Sequence, residues 1–81
     1  MNEITYIMRT IAATNRGRYL IGENEISANE YQDIKAILTR ENLKTYSFDN
    51  KEYFERLDGD DKIITVFEIG TLPAYYPAWI E

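Results

Sequence analysis

Ile26-Ser27-Ala28-Asn29-Glu30-Tyr31 and Phe48-Asp49-Asn50-Lys51-Glu52-Tyr53 spell the same helix-start pattern twice. In each, a short polar side chain can accept from the backbone N–H three places on. The Glu at that place can in turn accept from the cap's own N–H. The apolar residue before each cap can pack on the Tyr at the fourth helical position, closing a hydrophobic staple. Two helices are therefore expected. The first runs from Ala28 to about Arg40, with Tyr31, Ile34, Ile37 and Leu38 on a core face and Asn29, Gln32, Asp33, Ala36 and Arg40 on a solvent face. Its early acids, Glu30 and Asp33, and late bases, Lys35 and Arg40, suit the helix dipole. Asn42 fits a left-handed terminator, after which Leu43 folds back. The second helix is short, from its cap at Asp49 to near Leu57, with Gly59 as its exit and Tyr53, Phe54 and Leu57 as its buried edge. Lys51/Glu55 and Glu52/Arg56 would add i,i+4 pairs worth ~0.3 kcal/mol each.

Outward from these caps the pattern turns to strands. Ile4, Ile7, Met8 and Ile11 follow a helical stripe, but Glu3–Ala13 is rich in Ile, Thr and Tyr, which favour extended backbone. The reversal Thr14-Asn15-Arg16-Gly17, followed by Arg18-Tyr19-Leu20-Ile21, resolves the choice towards an N-terminal β-hairpin, a helix being the alternative. Lys44 to Phe48 reads as a short strand or an extended connector. Lys62–Ile69 is the clearest strand. Ile63, Thr65, Phe67 and Ile69 share one face and Ile64 and Val66 the other, so both faces should be covered and the strand central. The aromatic tail, Thr71 to Ile80, is the expected cover for the second face, its two prolines barring a regular interior strand.

Eighty-one residues are expected to form one domain with a small core and a thin stability margin. Cysteine and histidine are both absent. That removes disulfides, thiolate metal sites, the commonest general base and the commonest neutral metal ligand together. No stretch approaches the roughly 20 apolar residues of a membrane span and no leader pattern opens the chain, so a cytoplasmic protein without membrane association is expected. The net charge of −5 is uneven. Residues 1–22 hold one acid against three arginines, while residues 23–81 hold thirteen acids against six bases. Such a chain repels nucleic acid as a whole and is drawn to basic surfaces, including those that receive nucleic acid.

Asp58-Gly59-Asp60-Asp61 is not a calcium loop: counted from Asp58, the required glycine and glutamate positions are held by Ile63 and Ile69. It reads as an acidic turn. Ser27 and Ser47 have no histidine, and there is no phosphate-cradling glycine loop or nucleophile elbow, so neither an enzyme nor any cofactor or metal is expected. Arg9, Arg16 and Arg18 form the only basic feature, a hairpin finger that could contact phosphates. Tyr75, Tyr76 and Trp79 in the tail are residue types that anchor interfaces, and equally types that close small cores. Glu23, Glu25, Glu30, Asp33, Glu52, Glu55, Asp58, Asp60 and Asp61 could form an acidic face that imitates a phosphate row.

The expected architecture is α+β: hairpin, main helix, connector or strand, short helix, central strand and aromatic tail, with a three- or four-stranded sheet carrying the helices on one face. In size, charge, lack of Cys and His, and aromatic content, the chain resembles the small acidic accessory proteins of phages and mobile elements. Anti-CRISPR and other anti-defence inhibitors are of this type, and so to a lesser degree are bacterial immunity proteins. The resemblance implies a non-enzymatic inhibitor that docks on a basic, nucleic-acid-handling protein. The alternatives are a small nucleic-acid-binding or transcription-modulating domain using the arginine hairpin, and a self-associating structural component such as a homodimer.

Overall fold

Strand alternation governs more of the chain than the two caps imply. The computed structural model describes residues 4–71, and its elements are β1 (Thr5–Thr14), β2 (Gly17–Ser27), α1 (Ala28–Arg40), β3 (Lys44–Phe48), β4 (Lys51–Asp58) and β5 (Asp61–Ile69). The strands form one five-stranded sheet in the order β2-β1-β5-β4-β3, every neighbouring pair antiparallel. The sheet is larger than expected, and α1 is the only helix among the described residues.

The first cap forms as read. Ser27 Oγ accepts from the Glu30 N–H at 3.1 Å, and Glu30 Oε1 accepts from the Ser27 N–H at 3.0 Å. Ile26 and Tyr31 share the core, which completes the staple. Asn42 takes the left-handed conformation, φ 58°, and Leu43 packs against the core beyond it.

The second cap does not form, and the short helix is replaced by β4. Asp49 and Asn50 both have positive φ, 54° and 61°, and Phe48 pairs directly with Lys51. This is a two-residue hairpin turn of the kind Asp and Asn tolerate because their short polar side chains stabilise left-handed backbone. Beyond it, Lys51 to Leu57 alternates: Tyr53 and Glu55 face one side of the sheet, Glu52 and Phe54 the other. The expected i,i+4 pairs are absent accordingly. Lys51 reaches Glu68 and Asp49, Glu55 reaches Lys62, Glu52 reaches Lys35, and Arg56 pairs with Glu41. Gly59, φ 65°, is not a helix exit but the first residue of the two-residue turn joining β4 to β5.

The N-terminal segment is a strand, which excludes the helical alternative for it. Its hairpin closes between Thr14 and Gly17, and Gly17, φ 129°, rather than Asn15 supplies the positive φ. β2 runs on past Gly22 to Ser27, with a β-bulge: Thr10 pairs with Gly22 and Ile11 with Leu20, leaving Ile21 as the extra residue.

β5 is the middle strand of the sheet and is buried on both faces. Towards α1, Phe67 and Phe54 join Ile26, Tyr31 and Leu38 in one cluster, with Tyr6, Met8, Ile34 and Leu43 around it. Aromatic geometry orders that cluster. Tyr6 stacks on Tyr31 at 3.9 Å, and Phe67 meets Tyr31 and Phe54 edge-on at 5.1 and 5.8 Å. Ile37, expected in the core, is half exposed, and Ile69 is largely exposed. On the other face Ile7, Ile64 and Val66 are buried. The aromatic cover expected there, including Tyr75, Tyr76 and Trp79, lies outside the described residues beyond Thr71.

Candidate functional site

The register of the sheet decides where each charged candidate goes, since residues directly opposite in antiparallel strands share a face. Glu23 and Glu25 lie on β2 opposite Arg9 and Ile7, on the face away from α1. Arg9 is the hub of that face: its Nε donates to Glu23 at 2.7 Å and its Nη1 to Glu68 on β5 at 2.6 Å. Lys51 adds a longer contact to Glu68 at 3.6 Å. One guanidinium thus ties three strands together. Burial would lower the Arg9 pKa, but Glu68 and Glu23 outweigh it and hold the pKa above its ordinary value. The hydrogen bond from Arg9 holds Glu68 below the usual carboxylate range.

Glu55 occupies the same face on β4. Tyr46 Oη donates to it at 2.5 Å and Lys62 lies 3.5 Å away, so the hydroxyl foremost pulls its pKa down. Tyr46 itself stacks on Tyr53 at 4.9 Å. Glu52 points the other way, towards the helix, where it accepts from Tyr31 Oη and from Lys35 Nζ, the latter at 3.1 Å. Burial, then the hydrogen bond to Glu52, raises the Tyr31 pKa. Hydrogen bonding to Tyr31 and Glu52 raises that of Lys35. Glu30 is spent in the capping box, and Asp33 is exposed on the outer helix face.

The nine expected carboxylates therefore do not converge on one face. Four of them, Glu23, Glu30, Glu52 and Glu55, hold the fold together. Asp58, Asp60 and Asp61 differ. They sit together on the tight β4–β5 turn, Asp58 opposite Asp61, and form no ion pair among the described residues. The β1–β2 turn lies at the same end of the sheet, because Ala13 pairs with Lys62. A shallow groove there is lined by Asn15, Gly17, Arg18, Glu55, Asp60 and Lys62 among others. Arg16 and Arg18 thus stand beside the acidic turn, while Arg9 is withdrawn into its two ion pairs.

Among the described residues, no group of three or more carboxylates is arranged to hold a metal ion, and no helix is long and apolar enough to cross a membrane. One surface was missed in the sequence. Tyr19, Leu20 and Ile21 on the edge strand β2 are each about half exposed. The available signal is their place between the pair Arg16/Arg18 and the pair Glu23/Glu25, which a partner strand read only over Arg18–Ile21 conceals. Comparison with protein-family models, curated proteins and solved structures finds no match to this chain.

Proposed function

We propose that this chain is a non-enzymatic protein-binding module, a small acidic inhibitor of the anti-defence or immunity type, which docks on a basic, nucleic-acid-handling protein through its Asp58–Asp61 end. The observation that carries this reading is the acidic turn: three carboxylates on a tight, sheet-anchored reversal, with no cation paired to them among the described residues. Carboxylates held on rigid backbone lose little freedom on meeting a partner's lysines and arginines, and their field steers the encounter. Arg16 and Arg18 at the same end sharpen the expectation. The complementary surface is a basic patch with an acidic neighbour rather than a uniformly basic groove. Direct nucleic-acid binding draws on less, since Arg9 is engaged by Glu23 and Glu68.

The test is affinity capture from the native cell, with the wild type and with D58K/D60K/D61K, followed by a salt titration of the captured complex. The expected result is a partner lost on charge reversal whose affinity falls steeply with ionic strength. Binding that ignores both salt and the reversal refutes the proposal.

A further inference from the structure

Leu57, the last residue before the acidic turn, is 76% exposed, and it borders a hollow of about 350 Å³ where the α1–β3 connection meets β4 and β5. Register places the walls. Lys44 stands opposite Glu55 and Leu57 opposite Lys62, so these four share the sheet face away from α1, and Leu43 closes the remaining side. Asn42, with its left-handed backbone, turns the chain out of α1 and so brings Leu43 and Lys44 to this position. Sites for small ligands occupy ~300–1,000 Å³ and combine apolar walls with a few converging polar groups. This hollow lies at the small end of that range, with Leu43 and Leu57 as its apolar walls.

The charges around it do not balance. Glu55 is the one carboxylate lining the hollow, and only 10% of its side chain is exposed. It already accepts from Tyr46 Oη at 2.5 Å and has Lys62 Nζ at 3.5 Å. Lys44 forms no ion pair among the described residues; its Nζ lies 5.9 Å from the centre of the Tyr46 ring. Two ammonium groups thus border a hollow with a single, inward carboxylate. The surplus is one positive charge, in a chain whose net charge is −5.

We propose that this hollow binds a small organic monocarboxylate with an apolar body, its carboxylate held by Lys44 and Lys62 and its body against Leu43 and Leu57. One negative charge matches the local surplus. A phosphate dianion would exceed that surplus and meet the charge of Glu55. An uncharged apolar molecule would gain nothing from Lys44, and an anion without an apolar body would leave both leucines in water. The proposal does not rest on docking by the acidic turn, and Lys44 and Leu57 lie outside the residues reversed in that test.

Amide chemical shifts of the full chain, followed by two-dimensional NMR as octanoate, octan-1-ol or acetate is added, test it. Octanoate is expected to bind saturably with a Kd of about 1 mM or below and to move the amides of Leu43, Lys44, Glu55, Leu57 and Lys62. At about 2 mM, octan-1-ol, which lacks the charge, and acetate, which lacks the apolar body, should each give only a small fraction of that shift. Lys44→Gln and Leu57→Asn, both at exposed positions and each checked for folding by circular dichroism, should each weaken octanoate binding about five-fold. No saturable shift up to about 10 mM octanoate overturns the proposal. So do shifts centred on other residues, octan-1-ol or acetate acting as strongly as octanoate, or a Lys44→Gln chain that binds like the parent.

Discussion

Replacement of Asn50 separates the observed hairpin from the helix start that the same residues spell. In the hairpin Asn50 is the second of two turn residues with positive φ, at 61°. Proline fixes φ near −65°, so Asn50→Pro forces that residue some 125° away from its native angle and breaks the reversal. At the first position of a helix beginning after an Asp49 cap, the same proline would be favoured. The cost in the hairpin is put at ~3 kcal/mol or more, comparable to a proline placed where its φ cannot be met. Against a total stability of ~4–12 kcal/mol for a chain of this length, that is a large fraction. Asn50→Gly has the opposite sign. Relief of left-handed backbone, ~1 kcal/mol, exceeds the added entropy of the unfolded glycine by about half that, which raises the melting temperature by ~2–4 °C. Urea unfolding followed by circular dichroism gives both numbers from the midpoints, provided the slope is unchanged. The reasoning is refuted if Asn50→Pro is as stable as the parent and Asn50→Gly less so.

Phe67 is 1% exposed and meets both Tyr31 and Phe54, so Phe67→Ala should cost ~3–5 kcal/mol, read as a large drop of the midpoint in thermal melts. Glu55 and Glu68 have pKa values held below the ordinary 4.5. Their contribution to stability is therefore complete above that value and is lost as pH falls through their lowered pKa values. Urea midpoints should stay level from about pH 7 to about pH 5 and drop below about pH 4, less steeply in Tyr46→Phe, which lacks the hydroxyl that holds Glu55.

The parts of the fold that were legible are those where local chemistry and tertiary structure agree. Ser27 and Glu30 cap the helix as read, Asn42 ends it, and the two-faced apolar pattern of Ile63 to Phe67 marks the middle strand. The segment after Phe48 is ambiguous in sequence because Asp49 satisfies two rules at once. Asp before a Glu three places on is a helix cap, and Asp-Asn is also a pair that tolerates two left-handed residues. What decides between them is not local. Phe54 finds Phe67, and Glu52 finds Tyr31 and Lys35 on the helix, partners distant in sequence that alternation alone brings to the correct side. The acidic candidates failed to converge for the same reason: a carboxylate's face depends on register, and register is set by pairings such as Arg9 with Val66 that composition does not reveal. The run of β2 past Ile21 is not legible, because glycine disfavours a strand in isolation, whereas Gly22 here sits within one, beside a bulge.

Three of the four strand pairings join neighbours in sequence through turns of two residues; only β1 against β5 unites distant segments, with Tyr6 opposite Ile69. The chain is thus a β-hairpin with its helix followed by a three-stranded meander, joined by the β1–β5 seam and by the contacts of α1 with β4 and β5. The entropy of long loop closure falls on the docking of these two halves. Folding speed is governed there: substitutions along the seam, at Thr10 or Thr65, alter how fast the two halves find each other, whereas changes in the short turns alter chiefly how well each half is formed beforehand.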